Sequence, residues 1–287
     1  MRRSHRIWAG AVTSLALLVT VWAGPSGAQT SRAPSFLAEH YDLTAYLETT
    51  GQAINALVKV EFKAQDVSST VRVELHENLD VKEVKTADGK SLSFERDSEN
   101  PLLVNVTLPT AVATGKTVTL TFSYQGLLAN EENSPIPGVR LASIGKEWSY
   151  LLLPSRWFPL TNYPSNRFTG VFHLNVPDSV AVAGTGKAEA PQPLTPRAPA
   201  EGNRLMYTFH CDRAEPNGSF VAGPLQLSPK QAEGISVSVF APRADSAKVQ
   251  EFANIVAHQE IIFSDLFGQL PNPDLTVVQL PDGTLRE

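Results

Sequence analysis

Three short stretches carry residue types that could do chemistry: His76-Glu77, His258-Gln259-Glu260 and His210-Cys211-Asp212. A metal-activated water held on a helix needs two imidazoles four residues apart, so that both face one ion, with a carboxylate beside the first to polarise the water. His76 has its neighbouring Glu77, but Asp80 stands where the second imidazole would be needed. Around His258 the helical pattern is right, yet Glu260 lies two positions on, roughly opposite around a helix. His210 and Asp212 flank Cys211 as a nucleophile cluster would. On a strand, however, neighbours point to opposite faces, which separates the thiol from both groups and favours a buried structural cysteine. The sequence has no Gly-x-Ser-x-Gly elbow, phosphate-cradling glycine loop or dinucleotide fingerprint. No catalytic residue and no metal ligand is therefore assigned, and the substrate-binding residues are left open.

Six aromatic residues, Trp148, Tyr150, Trp157, Phe158, Tyr163 and Phe168, fall within one short stretch. Such crowding serves either a ligand platform or core packing, and the apolar area these rings bury favours core. Asn105-Val106-Thr107 and Asn217-Gly218-Ser219 match the glycosylation triplet, a pattern short enough to arise by chance.

Positioning these residues falls mainly to β-structure. Tyr41, Leu43, Ala45 and Leu47 alternate with polar residues, as do Val58, Val60 and Phe62. The same period of two recurs at Val71-Val73-Leu75, around the turn Asp88-Gly89, from Leu102 to Leu108 and from Val118 to Tyr124. It returns at Val171-His173-Asn175, Val180-Val182, Leu205-Tyr207-Phe209 and Ile235-Val237-Val239. Dense half-buried strands with turn signals between them predict a sandwich whose outer faces meet water. Residues 125–146 break the alternation and read as a long surface loop, and the proline-rich residues 191–199 read as an extended linker or hairpin tip.

Around Asp245 the period changes to that of a helix, with Val249, Phe252, Ala253, Val256, Phe263, Leu266 and Phe267 on one stripe. Asp245 or Ser246 caps its start, Gly268 and Pro271 end it, and Leu275-Thr276-Val277-Val278-Gln279-Leu280 reads as one more strand. One helix and one strand cannot bury their own apolar faces, so they either pack on the sandwich or open a second domain.

At the N-terminus Arg2, Arg3 and Arg6 precede an apolar run over residues 7–23, followed by Gly24-Pro25-Ser26-Gly27-Ala28. This predicts a signal peptide cleaved before Gln29, an exported periplasmic or secreted product, and no stable membrane span once the leader is gone. The chain carries 24 Lys and Arg against 29 Asp and Glu, and loss of the three leader arginines makes it more acidic still. Nucleic acid is excluded as a partner on that balance. With Cys211 as the single cysteine, an exported fold here has no internal disulfide and rests on an ordinary core.

The order of these pieces, β-domain, helix, then Phe267-Gly268-x-x-Pro271-x-Pro273-x-Leu275-x-Val277-Val278-x-Leu280-Pro281, resembles the M1, aminopeptidase N-like zinc metallopeptidases. Ser155-Arg156-Trp157-Phe158-Pro159 is similar to that family's Ala-Arg-x-x-Phe-Pro stretch with one residue fewer, and Tyr41-Asp42-Leu43 with Val58 to Phe62 is similar to its opening strands. The resemblance spans about residues 38–287. It implies zinc held by His-Glu-x-x-His and a downstream Glu, and a Gly-x-Met-Glu-Asn loop gripping the substrate amine, all beyond Glu287. Many members place Gln and Glu near that amine at positions occupied here by Ser149 and Leu151.

The resulting expectation is a mainly β chain. Residues 1–28 are a signal peptide, residues 29–242 a saddle-like β-sandwich, and residues 243–287 the helix and strand that begin an incomplete thermolysin-like α/β domain. On this expectation the chain is the N-terminal, non-catalytic portion of an exported zinc aminopeptidase. It lacks a cofactor of its own, zinc belonging to the full-length family, and meets peptide or protein substrates through a missing catalytic domain. The alternative is a stand-alone secreted sandwich that binds a peptide or protein without enzymatic activity.

Overall fold

The computed structural model describes residues 34–129, 141–195, 202–232, 235–242, 246–268, 274–281 and 284. The expected signal peptide, the Asn130-to-Pro137 part of the expected loop, Asp245 and Pro271 lie outside them. The first half of the chain is a series of strands: β1 (Phe36–Glu48), β2 (Ala53–Ala64), β3 (Ser68–Glu74), β4 (Leu79–Thr86), β5 (Phe94–Arg96), β6 (Leu103–Val112) and β7 (Thr117–Leu127). Short strands β8 (Ala142–Ile144) and β9 (Ser149–Leu151) precede a 3₁₀ turn at Pro154–Arg156. There follow β10 (Phe168–Pro177), β11 (Ala181–Gly184), β12 (Lys187–Ala188), β13 (Gln192–Leu194), β14 (Arg204–Glu215) and β15 (Phe220–Gly223). The chain continues through β16 (Leu225–Ala232), β17 (Ile235–Pro242), the helix α1 (Ser246–Phe267) and β18 (Asp274–Val278).

The main sheet runs β12-β14-β10-β1-β2-β7-β4, with β13 also on β14. Every neighbour in it is antiparallel except β1 and β10, which pair in parallel with Leu43 opposite Phe172. Its inner face is the alternating set read from the sequence. Tyr41, Leu43, Ala45 and Leu47 of β1, and Val58, Val60 and Phe62 of β2, are all buried, while Asp42, Thr44, Lys59 and Glu61 between them face out. That face packs on two smaller sheets, β3-β6-β5 and β11-β15-β9-β8, whose Val71, Val104, Ile144, Leu151 and Phe220 join the same core. Burial of each such large apolar side chain contributes about 1.5–3 kcal/mol against the entropy of ordering the chain, which makes this cluster the main source of stability.

A third small sheet, β16-β17-β18, carries a separate core. β17 and β18 are parallel, with Val239 opposite Val277, and α1 makes the crossover between them. Ile235, Val237, Val239 and Ala241 point to one face of β17, where Val249, Ala253 and Ala257 of α1 cover them. Gly268 ends the helix at φ 92°, its N–H bonded to the Ser264 carbonyl, a conformation glycine adopts without a Cβ penalty. The sheet takes β17 from one side of the sequence boundary expected at residue 242 and β18 from the other. Among the described residues no helix is long and apolar enough to cross a membrane.

Three details differ from the sequence reading. β7 continues to Leu127, because Gly126 is wedged between Ile54 of β2 and Leu79 of β4, so the long loop begins later than residue 125. Part of the proline-rich stretch is a strand, β13, paired to β14. The helix stripe is two surfaces rather than one: Val249 and Ala253 are buried and Val256 partly so, while Phe252, Phe263, Leu266 and Phe267 face solvent.

Candidate functional site

The aromatic stretch is the centre of the core. Trp157, Phe158 and Phe168 are fully buried, and Trp157 meets Phe158, Phe172 and Phe220 with ring centroids 4.7–6.2 Å apart. Their polar atoms are spoken for. Trp157 Nε1 donates to the Gly218 carbonyl at 2.9 Å, Tyr124 Oη donates to the Trp157 carbonyl at 2.7 Å, and Tyr41 Oη donates to the Pro159 carbonyl at 2.9 Å. Gly218 has φ +98°, and a β carbon there would stand 2.7 Å from the Phe158 ring, so only glycine fits. Tyr163 is exposed and Trp148 half-buried, stacked at 6.3 Å on the buried Tyr150. Trp157, Phe158, Phe168 and Tyr150 are core packing, while Tyr163 and part of Trp148 stay at the surface.

Arg156 of the same stretch lies beside Glu74 at the end of β3. Burial raises the Glu74 carboxyl above its ordinary value, against the opposing pull of the Arg156 charge and a hydrogen bond from Ser155. Ser149 and Leu151 on β9 are both buried, and Tyr150 between them reaches Thr284, hydroxyl to hydroxyl, at 3.3 Å. The segment after β18 therefore returns to β9, a contact across 134 positions that no local pattern signals.

The His210-Cys211-Asp212 stretch forms part of the wall of a cleft of about 950 Å³ between β14 and the side of β17 and β18 that faces away from α1. Ser236, Ser238 and Thr276 form the opposite wall. Cys211 turns into the core, its Sγ 3.7 Å from the Thr185 carbonyl, and burial pushes the thiol up to about 12. At neutral pH such a thiol holds its proton, which removes the nucleophile. His210 points the other way, its Nε2 2.6 Å from a Glu189 carboxylate oxygen. The two side chains thus separate as the strand geometry requires.

The other candidates remain apart. His76 is buried and its Nδ1 accepts the Asn78 backbone N–H at 3.0 Å, which fixes a turn. His258 is exposed on α1, and Glu260 is half-buried. Among the described residues no three His, Cys, Asp or Glu side chains converge on a point that could hold a metal ion. These residues do not fit a zinc centre. Asn217 is only 6% exposed and its Nδ2 donates to the Phe168 and Arg213 carbonyls, which seals that glycosylation triplet in the fold. Sequence reasoning missed Arg204, a buried cation whose Nη2 donates to the Leu47 and Asn175 carbonyls and whose guanidinium lies 3.8 Å from the Tyr46 ring centroid.

The second apolar side of α1 lies on the surface, where Phe252, Ile255, Ile262, Phe263, Leu266 and Phe267 are all exposed, Phe267 to 80%. Contiguous apolar surface of this kind marks a place of contact.

The sequence matches no protein-family model and no curated protein. In three dimensions the chain is similar to M1 zinc metallopeptidase structures from Deinococcus radiodurans. A mutant bound to a Tyr-Ser-Ala substrate superposes with a TM-score of 0.68 at 21% identity, covering 88% of this chain and 58% of that one. A structure of the M1 zinc metallopeptidase without a named mutation gives 0.65 at 19% identity, over 88% and 57%. A two-domain M1 zinc metallopeptidase mutant bound to L-tryptophan gives 0.66 at 20% identity. The chain thus spans rather more than half the length of the structures it matches, and what it shares with them is their fold.

Proposed function

We propose that this chain is the N-terminal, non-catalytic portion of an exported M1-like zinc aminopeptidase, an enzyme that hydrolyses peptide bonds at substrate N-termini. The observation that carries this reading is the fold likeness, which covers 88% of the chain yet only 58% of the matched structure. The exposed side of α1 supports it, because a helix with two apolar sides belongs inside an α/β domain larger than one three-stranded sheet. In this reading the β-domain is a rigid support. It anchors β9, and through Tyr150 and Thr284 it fixes the direction in which the chain leaves β18. Zinc and the general base would come from residues outside this chain, and export would follow from the arginine-led apolar leader.

The test is to read the coding DNA past the codon for Glu287 and to assay the native product. A frame that continues into His-Glu-x-x-His, giving a larger product whose hydrolysis of aminoacyl substrates is lost with a zinc chelator and restored by zinc, is the expected result. A native product of this size that hydrolyses no aminoacyl substrate would overturn the proposal and leave the stand-alone binding module.

A further inference from the structure

We draw no further inference here: the strongest candidate, the cleft of about 950 Å³ between β14 and the side of β17 and β18 that faces away from α1, mixes Lys187, His210 and Arg213 with Asp212, Glu215 and Asp274 along its walls, and nothing in the structure shows what fills it.

Discussion

The Tyr124 hydroxyl donates to the Trp157 backbone carbonyl at 2.7 Å inside the core, tying β7 to the loop that precedes β10. Tyr124→Phe keeps the ring and leaves that carbonyl buried without its donor. A loss of about 1–2 kcal/mol is expected from urea unfolding midpoints, and an unchanged midpoint would show that the carbonyl has found another donor.

Trp157 is fully buried and Trp148 only partly. In a chain beginning at Gln29 these are the two tryptophans left. Acrylamide should quench a fraction of the emission that vanishes in Trp148→Phe, leaving a shielded component from Trp157. Full quenching in Trp148→Phe would contradict the placement of Trp157 in the core.

Gly126 lies where β2, β7 and β4 meet, and a β carbon on it would overlap the carbonyl oxygen of Asn78. The obstacle is backbone, which cannot rotate away. Gly126→Ala should therefore destabilise by about 1–3 kcal/mol, whereas Gly89→Ala, at a hairpin tip with open space but φ +83°, should cost only about 1 kcal/mol from backbone strain. Equal losses in thermal denaturation would mean that crowding at Gly126 is relieved by strand movement.

Burial raises the Glu74 carboxyl above its ordinary 4.5, so the folded state holds that proton more tightly than the unfolded chain. Its stabilising contribution is present at low pH and is lost as pH rises through the window just above 4.5. Glu74→Gln removes the titration. The stability of the variant relative to the parent should increase across that window and then level off; a difference that stays constant with pH would refute the shift.

The sequence made the strands of the main sheet legible wherever one face is wet. Tyr41 to Leu47 and Val58 to Phe62 alternate because their outward neighbours need water. β8 and β9 gave no such signal, since all three residues in each are buried and a three-residue strand has no period. β16 was hidden by Pro229, tolerated there because the strand is an edge of its sheet. On α1 the apolar positions were correctly picked out, but periodicity reports which side chains avoid water and not how many neighbours exist to cover them. The opposition of His210 and Cys211 followed from strand geometry alone. The pairing of His210 with Glu189, 21 positions away, required the register of β12 against β14, and the hold of Arg204 on Leu47 spans 157 positions.

The parallel seam of β1 and β10 divides the main sheet into β12-β14-β10 on one side and β1-β2-β7-β4 on the other. Thr169, which bonds to the Glu39 carbonyl across that seam, lies 130 positions later in the chain. At translation rates of about 5–20 residues per second, β1 waits roughly ten seconds with one edge unpaired before its neighbour exists. During that interval it is an open template for other strands, and a chain threaded through a membrane pore meets the same delay. Completing the sheet is thus a late, long-range event in the life of the polypeptide, and a chaperone that shields the β1 edge should raise yield more than one that stabilises the finished fold.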